Sequence, residues 1–195
     1  MGKGKGLKLA DILVTVVIAV VFGIVYKLWG PLYDAAKPFG IRLEELIYGM
    51  WFIAGTVAAL LIRKPGVALL AEVAAASAEL VTGSQYGVSV LLSGVLQGLF
   101  AELAFAAFGY RRFTIGVASL AAIGSSAGSL IMDFYNNYIT DLSAWNLTLM
   151  IGARTIGSII ICGFFAYYLV KALEATGVTK QLRPVSNEDY KALDN

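Results

Sequence analysis

The 195-residue chain contains no histidine and a single cysteine, Cys162. The first absence removes His-based metal sites, proton relays and any serine or cysteine nucleophile paired with histidine; the second removes an internal disulfide framework. Charge is scarce too. Asp, Glu, Lys and Arg make up 14% of the residues against 58% hydrophobic, with a mean hydropathy of +0.76. A soluble domain of this length cannot hide so much apolar surface, so the fold class is an all-α, polytopic membrane protein. No GxxxxGK[ST] occurs, which excludes ATP hydrolysis by a phosphate loop. The basic GKGKG near the start follows no strand and reads as a loose cationic end. No motif calls for a cofactor or a metal.

What is present is a series of uncharged runs: residues 12–26, 46–62, 88–101, 113–132 and 155–170, with a glutamate-bearing run at 67–82. Extended through their flanks, these approach the ~20 residues that span a bilayer. They predict a six-transmembrane-helix bundle in one domain, residues 1–178, followed by a polar tail, 179–195. The first run lacks an A-x-A site and reads as a membrane helix rather than a cleaved leader, with Trp29 and Tyr33 as interfacial anchors. Basic residues cluster before helix one (Lys3, Lys5, Lys8), between helices two and three (Arg63, Lys64), between four and five (Arg111, Arg112) and after six (Lys171, Lys180, Arg183). The opposite loops hold only Lys27, Lys37 and Arg42. The positive-inside rule therefore places both termini in the cytoplasm of a plasma-membrane protein.

Carboxylates within such helices are costly, roughly 2.5–3.5 kcal/mol each on insertion scales, and so point to function or to pairing. Helix three carries Glu72 and Glu79, seven residues apart on one stripe with Ala75 and Ala76 between them. On helix four, Gly94, Gly98 and Glu102 recur every fourth residue, with Gln97 half a turn away. The deep cation is Arg154. One pairing scheme joins Glu79 to Arg154 and leaves Glu72 and Glu102 to Arg63 or Lys64. Three carboxylates against one deep cation leave at least one for a ligand or ion. Helix two adds Tyr48 and Trp51, with Glu45 bordering their face. The GSQYG turn adds Tyr86, and MDFYNNY adds Asp133, Asn136 and Asn137. Aromatic rings beside carboxylates suit a flat cation, through stacking, cation–π attraction and charge-assisted hydrogen bonds. Ala19 and Gly23 form a small-xxx-small pair on helix one, a surface for close packing against another helix of this chain or of a partner subunit. Gly124 and Gly128 repeat the pattern on helix five.

Six helices in this length, the AxxxG of helix one, YGMWF, IRKPGVALLAE, the AEL glutamate and LQGLFAE resemble the S component of an energy-coupling factor (ECF) vitamin transporter, of the YkoE type for thiamine or its hydroxymethylpyrimidine precursor. That resemblance implies a substrate-capturing membrane subunit, not an enzyme, working with a transmembrane coupling subunit and cytoplasmic ATPases. It further implies a ligand site near the outer face under the loop Gly30–Arg42, with Ala19 and Gly23 meeting the coupling subunit. By position it points to Tyr48, Trp51, Glu72, Glu79, Gln97 and Glu102, then Asp133 and Arg154. The alternative is a stand-alone secondary transporter of a small cationic solute with Glu72 or Glu102 as its proton site; no inverted repeat supports it.

Overall fold

Residue 19 begins a seam, Ala19, Gly23, Tyr26, Gly30 and Tyr33, that recurs at alternating four- and three-residue steps and is buried along its length. It lies on α1 (Leu9–Ala36), whose opposite side exposes Val16, Val17, Val20, Val21 and Ile24. The seam packs on α3 (Val67–Val81): a Cβ placed on Gly23 would overlap Ala78 Cβ and lie 2.8 Å from the Ala75 carbonyl oxygen. Gly23 therefore packs within the chain, the internal one of the two partners its spacing allows, and Ala19 is buried on the same seam. Small side chains mark a close approach; here the approaching helix is α3. The computed structural model describes residues 6–177, and the polar tail lies outside them.

The second rod changes winding midway. Leu43–Phe52 is a ten-residue 3₁₀ helix, and α2 (Ile53–Ile62) continues it as α-helix with all ten residues buried. Runs of 3₁₀ helix beyond 3–4 residues are uncommon and often mark functional segments. Then follow α3, α4 (Ser89–Ala107) and α5 (Ile115–Tyr135). The last rod joins α6 (Ala144–Ser158), a π turn (Ile159–Phe165) and α7 (Ala166–Ala175). It starts earlier than the apolar run at residue 155 suggests, because Ser143 caps the helix by accepting from Asn146 N–H. Glycines set the spacing between rods. A Cβ on Gly98 would sit 2.8 Å from Glu72 Cβ, and one on Gly128 would sit 3.0 Å from the Leu96 carbonyl.

Among the described residues, five rods are long and apolar enough to cross a membrane. The sixth, α3, has 15 residues, about 22 Å at 1.5 Å per residue. It is bounded by Gly66 and Gly83, both at positive φ, and is shorter than the sequence runs suggest. The segment Gly30–Arg42 is mostly not a loop. Pro31 is accommodated inside α1, which runs to Ala36, and only a 3₁₀ turn (Lys37–Phe39) and three further residues link it to the second rod.

Candidate functional site

One end of the bundle brings together the C-terminal parts of α1, α3 and α5, the first half of α4, the middle of α6, and the 3₁₀ helix. They enclose a cavity of about 300 Å³. The 3₁₀ winding explains which residues of the second rod reach it. At three residues per turn Glu45, Tyr48 and Trp51 form a single row, and all three line the cavity. Glu44, the residue that an α-helix would align with Tyr48, turns elsewhere and lies 3.7 Å from Arg42.

Trp51 is the centre of an aromatic cluster. Its ring centroid lies 5.0 Å from Tyr33, 5.2 Å from Tyr48 and 5.8 Å from Tyr86, each edge-on. Its indole N–H donates to the Tyr26 carbonyl at 3.1 Å. Tyr33, expected as an interfacial anchor, is buried and donates its hydroxyl to Glu45 at 2.8 Å. Trp29 likewise turns inward, donating to the Ile47 carbonyl at 2.9 Å. Tyr86 sits in the α3–α4 turn, where burial pushes its hydroxyl above the ordinary value.

Arg154, 1% exposed, organises the acidic wall. Nε donates to Glu45 at 2.7 Å, while Nη1 donates to Asp133 at 2.6 Å and to Ser129 Oγ at 2.9 Å. The guanidinium lies 3.6 Å above the Tyr48 ring. The expected Glu79–Arg154 bridge is therefore replaced by a pairing with Glu45 and Asp133. Glu79 instead accepts from Ser84 Oγ at 2.8 Å and lines the cavity outside that network. Three cavity carboxylates, Glu45, Glu79 and Asp133, thus meet one buried guanidinium. The two basic residues at the rim have acidic partners of their own: Lys37 bonds Asp34 at 2.7 Å, and Arg42 lies near Glu44.

Of the residues singled out in the sequence, Glu45, Tyr48, Trp51, Glu79, Tyr86, Gln97 and Asp133 converge here. Three do not. Glu102 lies at the opposite end, where its carboxylate accepts from the N–H groups of Gly66, Ala68 and Leu69 at 2.6, 2.9 and 3.3 Å, capping α3. Glu72 lies behind the cavity wall, bonded to Tyr26 and Gly55. Asn137 adopts a left-handed conformation (φ 61°) where the chain leaves α5, and its neighbour Asn136 lines the cavity instead. Neither Arg63 nor Lys64 holds Glu72 or Glu102: Lys64 pairs with Asp11, and Arg63 with Glu174 at 3.1 Å. Tyr26 and Tyr33 were missed as wall residues. Their seven-residue spacing in register with Ala19 was the available signal.

The comparisons with known proteins agree with this architecture. Residues 10–128 match the family model described as ABC-type cobalt transport system, permease component. The chain is 36% identical over 175 residues, 89% of its length and 88% of the other, to YkoE of Bacillus subtilis (strain 168), which bears the name HMP/thiamine permease protein. A crystal structure of an S-component of an ECF transporter superposes with a TM-score of 0.86 and 33% identity, covering 90% of each chain. These relatives are transport proteins rather than enzymes. On this breadth of match, the chain belongs to this family of ABC-type transport permease components, as a multi-pass, substrate-binding S component of the ECF kind.

Proposed function

We propose that the cavity captures thiamine or its hydroxymethylpyrimidine precursor for ATP-driven uptake, with a separate transmembrane coupling subunit and cytoplasmic ATPase subunits completing the importer. The observation that carries this reading is the Trp51-centred ring cluster set against three carboxylates and one guanidinium. A planar aminopyrimidine stacks on such rings, an amine donates to Glu79 or Asp133, and a thiazolium charge answers the excess of acid. The name of the Bacillus subtilis relative supports the same ligand pair. Cobalt, named in the family description, fits the side chains less well. The sequence has no histidine, and among the described residues no group of three or more His, Cys, Asp or Glu is placed to hold a metal ion.

The proposed topology follows from where the ends of the rods lie. The cavity is at the bundle end opposite Leu9 and Ala175, and Arg63 and Lys64 lie at the end that carries those residues. With both termini cytoplasmic, the cavity opens to the outside. The secondary-transport alternative loses support because Glu102, one of its two proposed proton sites, is engaged in capping α3.

Two substitutions test the ligand reading. Glu79→Gln keeps shape and an acceptor for Ser84 but removes charge. Its expected effect is a loss of about 2–5 kcal/mol in thiamine affinity, about thirtyfold or more, with the unliganded melting temperature unchanged. Retained affinity would remove Glu79 from the site. Trp51→Ala should weaken binding by about 1–3 kcal/mol, the range for bases stacked on aromatic side chains. Isothermal titration reads both, and an unchanged dissociation constant in the Trp51 variant would reduce that ring to a packing role.

A further inference from the structure

Glu72 is a buried carboxylate, 1% exposed, that lies outside the cavity lining. Its hydrogen bonds come from the Tyr26 hydroxyl, at 3.0 and 3.1 Å to its two oxygens, and from Gly55 N–H at 2.9 Å. The Tyr26 hydroxyl in turn accepts from Ala54 N–H at 2.9 Å. Both backbone donors belong to the first turn of α2, immediately after Phe52. Phe52 leaves the helical path (φ −139°, ψ 22°) and provides no side-chain cap. The opening N–H groups of an α-helix lack partners within the helix. Here Ala54 and Gly55 find theirs on α1 and α3, across the bundle.

That break decides where the ligand-facing row points. Upstream of Phe52, three residues per turn align Glu45, Tyr48 and Trp51; at 3.6 residues per turn the same three would fan over about 120°. Tyr26 touches the row directly as well, since its carbonyl accepts from the Trp51 indole, and it is one of the residues that line the cavity.

We propose that Glu72 is a positioning residue for ligand capture: through Tyr26 and Gly55 it holds the start of α2, so that the 3₁₀ helix keeps its winding and presents Glu45, Tyr48 and Trp51 to the cavity. This rests on the reading of the cavity as the substrate site, and it gives Glu72 no contact with substrate. A packing role alone would change melting temperature without changing Trp51.

The test uses the full chain with Trp51 as its only tryptophan (Trp29→Phe, Trp145→Phe), each variant being compared with that parent. Glu72→Leu and Tyr26→Phe should shift Trp51 emission in the ligand-free protein and weaken thiamine binding by about tenfold or more, because binding must then rebuild the winding that the unpaired Ala54 and Gly55 N–H groups no longer hold. Glu72→Gln should keep the emission and stay within about threefold in affinity, because one amide oxygen can accept from both Gly55 and Tyr26. Unchanged emission and affinity in Glu72→Leu, with only a lower melting temperature, would overturn the proposal. So would a Gln variant as weak as the Leu variant. Should Glu72→Leu fail to fold, Tyr26→Phe decides by the same two readouts. If the parent does not bind thiamine, the ligand assignment fails, and the ligand-free emission alone judges the positioning role.

Discussion

Arg154→Met should cost the unliganded protein about 3–5 kcal/mol and abolish ligand capture with it. Arg154 donates to both Glu45 and Asp133, so its loss strands two buried carboxylates at once and frees the Tyr48 face it covers. Methionine keeps most of the stem and its packing, so the cost reports charge and hydrogen bonds. Adding Glu45→Gln and Asp133→Asn to the same protein should return part of the lost stability, since neutral amides are cheaper to bury than unpaired carboxylates. Thermal unfolding in detergent checks both. A melting temperature unchanged by Arg154→Met would mean that the guanidinium is not the keystone of the acidic wall.

Gly157→Ala should be at least as damaging as overpacking usually is, about 3 kcal/mol at the upper end of the common range. A Cβ there would overlap the Leu46 carbonyl and Cα, and one on Gly49 would come within 2.8 Å of Ser158 Cα. The 3₁₀ helix and α6 thus cross backbone to backbone, with no flexible side chain to turn aside. Leu46 follows Glu45 directly, so forcing the two segments apart displaces the cavity-facing row and should weaken binding as well. Gly152→Ala, on the same helix but with nothing within 4 Å of the added Cβ, is the matched control. It should be neutral or slightly stabilising, because alanine favours helix over glycine by about 1 kcal/mol. Equal unfolding curves for the two variants would contradict the close crossing.

The helices were legible because apolar length is a direct signal, and so were the acids of the cavity, since carboxylates are scarce and costly within membrane helices. What sequence could not show was winding. Glu44, Tyr48 and Trp51 share a face at 3.6 residues per turn, whereas the structure winds this segment at 3.0 and selects Glu45 instead. Pairing was hidden for a different reason. Glu79 and Arg154 read as partners, but three acids compete for that one guanidinium, and inter-helix distances decide in favour of Glu45 and Asp133. The AxxxG of α1 marked a close contact without naming its partner. Glu102 looked like a bundle-facing acid because a carboxylate that caps another helix has the same spacing as one that faces a ligand.

The proposed occupant of this acidic, aromatic cavity is thiamine or its pyrimidine precursor. Native mass spectrometry of the purified full chain tests it most directly, with each compound and with cobalt added separately to protein stripped of ligand. The expected result is a single adduct of thiamine or of the pyrimidine, one per chain, strongly reduced in Glu79→Gln and absent with cobalt. A protein that stays bare with both organic compounds, or that retains cobalt in their place, would contradict it.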